Sequence, residues 1–358
     1  MYIKNQNKNT YNLQNIFLIF LIFLLFKKQI KGRYTFIIKQ YNTTIYLQNI
    51  IKHIFQFIIN YKKDQADNIG LFKYRQLKDL NLSAKSICVY DSVNDKILLS
   101  HKSKKQREIA SLTKIMTCHI VCQLIQEKVI NKIDIVQISK PAAQMIGTSA
   151  NLKYGDQITI WDLLHSLMLP SGNDSAFALA VFFLIILNFI NIKSKEAIKK
   201  FVQEMNKYAR ELNLLQTQYS NPHGLINKSN KSNAIDQCKL SAYSMFQSGL
   251  FRQVVKCKLY TCQVKNKNGQ LRILTWENTN KCLQKFQNIC AGLKTGTTCS
   301  AGPCLATSWK INDRNFIIVL LKCQNSEQRF VESHKIFVWI CDQLKIELKQ
   351  EDRIFSII

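Results

Sequence analysis

Arg107-Glu-Ile-Ala-Ser-Leu-Thr-Lys-Ile-Met-Thr117 runs into Cys118-His-Ile-Val-Cys-Gln-Leu-Ile125, and its apolar spacing from Ala110 onward predicts a helix buried in the protein. Within it, Ser111-Leu-Thr-Lys114 is the only S-x-x-K of the chain. Residues three apart share a helix face, so the Lys114 amine can reach the Ser111 hydroxyl one turn away. A serine hydroxyl is a poor nucleophile until a base takes its proton, and a lysine depressed by burial and nearby positive charge can be that base. Alone, the motif is weak evidence and reads more readily as an ordinary helix start, with serine as cap and lysine in solvent.

Outward from this segment the pattern stays regular. Ser86–Asp91 and Lys96–Ser100 are strand-like runs around Ser92-Val-Asn-Asp95, a hairpin signal. Residues 130–250 read as mostly helical, with loops at Gly147-Thr-Ser-Ala150 and Asn221-Pro-His-Gly224. Strands are expected at Leu259–Val264, Leu271–Trp276, Cys304–Ile311 and Phe316–Cys323, and a last helix at about Ser326–Leu344. The expected fold is α/β of the α+β type: one antiparallel sheet built from both chain ends, flanking helices and an inserted helical subdomain. The expected domains are a basic leader over 1–79, a catalytic domain over 80–346 and a short tail over 347–358.

Two further short motifs stand out. Lys294-Thr-Gly296 is the only K-T-G, and a glycine there suits close approach of a ligand to a strand. Its lysine could hold a carboxylate by charge and its threonine could add a hydrogen bond. Ser171-Gly-Asn173 follows a helix that must end near Pro170; Ser92-Val-Asn94 and Ser149-Ala-Asn151 share its pattern but not that position. On their own, the first reads as a hairpin turn and the second as a solvent loop.

Composition sets the outer bounds. The 358 residues are 47% hydrophobic, enough for a real core, and carry a net charge of +27. Lysine is spread along the whole chain without an Arg-rich arm, zinc-finger spacing or aromatic RNA-binding signature, which argues against a nucleic-acid partner. Twelve cysteines, none in C-x-x-C, exclude an obvious zinc site and weakly favour an oxidising compartment. Cys257/Cys262, Cys282/Cys290 and Cys299/Cys304 are spaced for local bridges, whereas Cys118 and Cys122 are expected as core thiols. Ile16–Phe26 is an eleven-residue apolar run between lysines, suited to a signal-peptide core and short for a membrane span. It implies entry to the secretory pathway, with secretion or membrane anchoring to follow. Ala176–Ile192 approaches span length and is read as a buried helix, with membrane insertion as the alternative. Asn227 and Asn230 stand in N-x-S sequons. His223, His119 and His165 are read as structural rather than as members of a Ser-His-Asp triad.

S-x-x-K, S-x-N and K-T-G, in this order, form the motif set of β-lactamases and penicillin-binding proteins. The sequence resembles that superfamily, and most closely the low-molecular-weight D-Ala-D-Ala carboxypeptidases of peptidase family S11. The likeness extends to Tyr154–Leu164, Leu169–Ala176, Ser220-Asn-Pro-His-Gly-Leu225, Asn278-Thr-Asn-Lys281 and Gly292–Gly296, over about residues 84–345. It implies a β-lactamase/transpeptidase-like fold and removal of a terminal D-alanine from peptidoglycan peptides through an acyl-enzyme. β-Lactams would be covalent inhibitors, and no metal or organic cofactor would be needed. By the same resemblance, Ser111 attacks, Lys114 is the base, and Ser171 and Asn173 relay the proton and hold the substrate amide. Lys294 and Thr295 bind the terminal carboxylate beside Gly296, and the N–H groups of Ser111 and Thr297 form the oxyanion hole. Asn233-Ala-Ile-Asp236 departs from the family's usual Ser/Thr-Ala-x-Asp. A β-lactamase or esterase on the same fold, and a silent wall-binding homologue, remain the alternatives.

Overall fold

The computed structural model describes residues 70–186 and 194–355, and, for side chains, 70–183 in the first of these stretches. Residues 1–69 of the expected leader, including Ile16–Phe26, lie outside the described residues. Five antiparallel strands form the main sheet: β1 (Ser86–Asp91), β2 (Lys96–His101), β7 (Cys290–Gly296), β8 (Cys304–Ile311) and β9 (Arg314–Leu321). Their order is β2-β1-β9-β8-β7, so the N-terminal hairpin and the C-terminal strands meet at the β1–β9 pairing, Cys88 opposite Val319.

Burial explains why these strands lie in the middle of the molecule. Phe316 to Leu321 are buried without a break, the pattern of a strand covered on both faces. Ile317, Val319 and Leu321 enter one core with the helical block. Phe316, Ile318 and Leu320 enter another, with the short helix α8 (Lys281–Lys285) and the helix α9 (Gln328–Gln343). The two cores are two sides of one sheet, as alternation of side chains along a strand requires.

The hairpin of β5 (Leu259–Lys265) and β6 (Leu271–Glu277) corrects the one-sheet expectation. It joins β3 (Ile135–Gln137) and β4 (Gln157–Thr159) in a second sheet of order β3-β4-β5-β6. Its sequence carries the reason. Leu259, Thr261, Gln263 and Lys265 point to solvent while Cys262 and Val264 are buried, the alternation of a sheet wet on one face.

The helical block comprises α1 (Lys114–Gln126), α2 (Lys140–Ala143), α3 (Ile160–Met168), α4 (Asn173–Ile186), α5 (Ser194–Glu211), α6 (Ala234–Gln247) and α7 (Gly249–Lys256). α4 contains the first part of the apolar segment Ala176–Ile192 whose length raised a membrane alternative; residues 187–192 lie outside the described residues. The helix packs against α3 and α5, with Phe183 edge-on to Phe201, and no helix among the described residues is long and apolar enough to cross a membrane. α6 starts at Asn233, whose side chain accepts from the Asp236 N–H at 2.7 Å. Asn here does the capping work of the family's Ser or Thr, so the sequence departure leaves the element intact.

Further expectations are revised. All twelve cysteines are free thiols. Cys282 Sγ donates to the Phe330 carbonyl and Cys290 Sγ pairs with Thr307 Oγ1; Cys299 is exposed while Cys304 is buried. The three proposed bridges are therefore absent, and the cysteines give no support to an oxidising compartment. Cys118 and Cys122 are core thiols, as expected, 4.0 Å apart. Asn230 is buried, with its Nδ2 donating to Thr113 Oγ1, which removes it as a glycan acceptor. The packed unit also takes in residues assigned to the leader: Tyr74 stacks on His101 and Leu77 is buried.

Candidate active site

The nucleophile segment is held in an unusual backbone. Residues Ala110–Thr113 form a 3-10 turn before α1, and Ala110 has φ +47°. Gly224 lies hard against it: a Cβ built on that glycine would fall 2.0 Å from the Ala110 carbonyl oxygen, and its φ is +88°. Only glycine fits both constraints. The Asn-Pro-His-Gly loop therefore clamps the turn that carries Ser111. Thr117 Oγ1, donating to the Pro222 carbonyl at 2.7 Å, ties the same loop to α1.

Lys114 is fully buried one turn beyond Ser111. Its Nζ donates to Ser111 Oγ at 3.0 Å, to Asn173 Oδ1 at 2.7 Å and to the His223 carbonyl at 2.7 Å. Burial, then the charge of Lys294, push its pKa well below the usual lysine range, against an opposing pull from Asp174. A buried amine so depressed is poised to be neutral and to accept a proton.

The Ser171 loop arrives because α3 stops before Pro170, which cannot continue a helix. Ser171 has φ +69°, and its buried hydroxyl has no hydrogen-bond partner among the described residues. Asn173, the first residue of α4, gives Oδ1 to Lys114 and donates from Nδ2 to the Ile146 carbonyl at 2.7 Å. Asp174 fixes the facing loop, accepting from the Ala150 and Leu152 N–H groups and from Ser149 Oγ.

Lys294, Thr295 and Gly296 end β7 at the free edge of the main sheet. A Cβ on Gly296 would lie 2.8 Å from the Ser111 nitrogen, so the strand end and the nucleophile turn touch. Lys294 is buried and donates to the Thr295 carbonyl at 3.1 Å. Burial, then Arg329, lower its pKa to about 7. Thr295 Oγ1 meets Thr279 Oγ1 at 2.7 Å. Thr297, which follows the strand, shares its Oγ1 with Arg329 at 3.0 Å. Lys114 thus bonds to both Ser111 and Asn173, and Gly296 lies against the Ser111 nitrogen, so the three motifs meet around one hydroxyl.

Sequence reasoning missed three contributors. Arg329 on α9 donates to the Gly296 carbonyl at 3.2 Å and braces the strand end from behind; nothing near it in sequence marks it. His223 acts through its main-chain oxygen, while its ring is pushed down to about 3 by burial and Lys114 and stays neutral. Its Nδ1 accepts from the Leu225 N–H at 3.1 Å. Thr279 was visible in Asn278-Thr-Asn-Lys281, but without a stated role.

Residues 73–325 match the family model for D-alanyl-D-alanine carboxypeptidase, peptidase S11. The chain belongs to the S11 peptidase family. An S11 relative from Streptomyces sp. K15, a D-alanyl-D-alanine carboxypeptidase, is 31% identical, with 67% of this chain and 80% of the relative aligned. DacF of Bacillus subtilis is 28% identical, over 73% of this chain and 63% of DacF; DacC of Escherichia coli is 30% identical, over 72% and 61%. The chain thus spans less than two thirds of DacF and DacC. The crystal structure of the Streptomyces K15 DD-transpeptidase superposes with a TM-score of 0.67 and 30% identity, covering 72% of this chain and 97% of that one. The S11 fold is therefore the mixed α/β fold of that transpeptidase, as the sequence implied.

Proposed function

We propose that this S11 chain is a serine-type D-Ala-D-Ala carboxypeptidase acting on peptidoglycan-type peptides. The observation that carries the reading is the buried, depressed Lys114 amine in hydrogen-bond contact with Ser111 Oγ. Ser111 attacks the carbonyl of the penultimate D-alanine while Lys114 takes its proton. The developing oxyanion is received by the N–H groups of Ser111 and Thr297, an arrangement worth about 10²–10³ in rate per donor. Asn173 holds the substrate amide, and Ser171, whose buried hydroxyl has no hydrogen-bond partner among the described residues, passes a proton to the departing amine. Lys294 and Thr295 bind the terminal carboxylate. Water then hydrolyses the acyl-enzyme and restores Ser111. A β-lactam enters the same steps and leaves the serine acylated. The apolar run Ile16–Phe26 supports targeting to the secretory pathway, with membrane association through that segment.

Release of D-alanine from a peptide ending in D-Ala-D-Ala tests the proposal. Wild-type protein should release it and Ser111→Ala should not. Equal release by both proteins would remove Ser111 from the chemistry and the reading with it.

A further inference from the structure

Two loops meet beside Asn173, and the chemistry proposed for Ser111 gives the side chains at their meeting no role. In the first, Ile146-Gly-Thr148, the Ile146 carbonyl accepts from Asn173 Nδ2 at 2.7 Å and the Thr148 carbonyl accepts from the Asn173 N–H at 2.8 Å. Thr148 Oγ1 donates to the Ser171 carbonyl at 2.6 Å. The second, His223-Gly-Leu-Ile226, begins at the carbonyl that accepts from Lys114. The loops touch: a Cβ built on Gly147 would fall 3.3 Å from Leu225 Cδ2 and 2.7 Å from Asn173 Nδ2.

The side chains around that contact are apolar and wet. Ile146 is 74% exposed and Ile226 is 59% exposed, one on each loop, while Met145 and Leu225 are half-buried. An isoleucine exposed singly needs no explanation, but two that flank one contact form a patch. Charge is missing from the same stretches. Residues 141–152 and 212–227 contain no Asp, Glu, Lys or Arg, in a chain of which 20% is charged. His223, the one histidine among them, is held neutral, its ring pushed down to about 3 by burial and Lys114. The cation nearest Ile226 in sequence, Lys228, is exposed two residues further on and would repel an ammonium group brought to the patch.

The absence of charge decides what the patch can take. An apolar side chain laid on it removes surface of both partners from water. A charged or amide side chain gives up hydration there and finds no ionic partner in either stretch. We infer that Ile146, Leu225 and Ile226 form an apolar lip for the substrate residue that precedes D-Ala-D-Ala, selecting an uncharged, apolar side chain at that position. The inference rests on the proposed function for the direction of the substrate. The amide that Asn173 holds there joins this residue to the penultimate D-alanine, so its side chain starts beside the lip.

The test is D-alanine release by the full-length protein from Nα-acetyl-Xaa-D-Ala-D-Ala, with Leu, Gln or Lys as Xaa, read as ratios of kcat/KM. Leu and Gln are both neutral, so their ratio is blind to the net charge of +27. Wild type is expected to favour Leu over Gln by about tenfold, the lower end of discrimination by apolar contacts, and Leu over Lys by at least as much. I146S/I226S should bring Leu and Gln to within about twofold. I133S/I273S, which removes two isoleucines exposed elsewhere, should keep the wild-type ratio. A ratio cancels the fraction of folded enzyme, so a poorly folded variant does not mimic the effect. Equal kcat/KM on Leu and Gln in wild type, or an unchanged ratio in I146S/I226S, would overturn the inference. The same proteins are acylated with benzylpenicillin and with carbenicillin, which adds a carboxylate to the same side chain. The ratio of those two rates needs no peptide turnover and is expected to be lower in I146S/I226S than in wild type; an unchanged value would overturn the lip. Absence of D-alanine release from all three peptides, with the acylation ratio still lowered, would remove the proposed function and support the lip. The two readings therefore fail separately.

Discussion

At the scale of single residues, two buried lysines carry opposite duties in the proposed mechanism. There Lys114 must be neutral to take a proton, and Lys294 must be charged to hold a carboxylate. Burial depresses both, and the charge of Lys294 depresses Lys114 further. The kcat/KM of the free enzyme should therefore fall on the acid side as Lys114 gains a proton. It should fall on the alkaline side as Lys294 loses one, from about pH 7. A bound carboxylate favours charged Lys294, so the kcat profile should hold to higher pH than kcat/KM. Lys114→Arg keeps the charge but cannot become a neutral base. It should lower kcat by about 10²–10⁴, measured as D-alanine release; wild-type activity would remove Lys114 as the base.

Lys294 also has a stability signature. Its folded pKa, about 7, lies below the unfolded value of 10.5. Below pH 7 both states hold the proton, and the folded protein bears the full penalty of a buried charge. Between about pH 7 and 10.5 the unfolded chain binds more protons, so stability rises with pH through that window. Lys294→Met removes the penalty. It should stabilise the fold by about 0.5–2 kcal/mol at pH 6, with the difference shrinking by pH 9. Denaturant melts at the two pH values decide the matter, and a destabilised variant at pH 6 would contradict it.

At the scale of elements, the decisive pieces are ends: a 3-10 turn before α1, the start of α4, the start of α6 and the last residues of β7. Ser111 lies in the turn before α1, Asn173 opens α4, and Lys294 to Gly296 close β7. Asn233 illustrates how such an end tolerates exchange. Asn233→Ser should preserve stability, because serine caps as well. Asn233→Ala should cost about 1 kcal/mol, read by thermal or denaturant melts; no difference between the two would deny the cap. Much of this level was legible in the sequence. The hairpin, the Ser111 helix and the closing helix follow from period and punctuation alone, whereas β7, buried at every position, has no alternation to mark it and was not among the expected strands. β3 and β4, three residues each, were too short for any periodicity to mark.

At the scale of the molecule, what the sequence hid was long-range. The alternation in β5 and β6 was readable, but which sheet would receive them depended on β4, a hundred residues earlier. Arg329 reaches the end of β7 from a helix 33 residues downstream, a contact no local pattern encodes. The cysteine spacings misled because proximity along the chain does not aim two thiols at one another: Cys282 turns to Phe330 and Cys290 to Thr307. The meeting of the three motifs, scattered over nearly two hundred positions, was expected from the family resemblance rather than from any local pattern, and their contacts run through Lys114 and Gly296.

That convergence is tested most directly by intact-mass spectrometry of the purified chain after exposure to benzylpenicillin. One covalent adduct per chain is expected, mapping to the peptide that contains Ser111 and missing from Ser111→Ala. An unmodified wild-type mass, or an adduct that survives the substitution, would contradict the central claim.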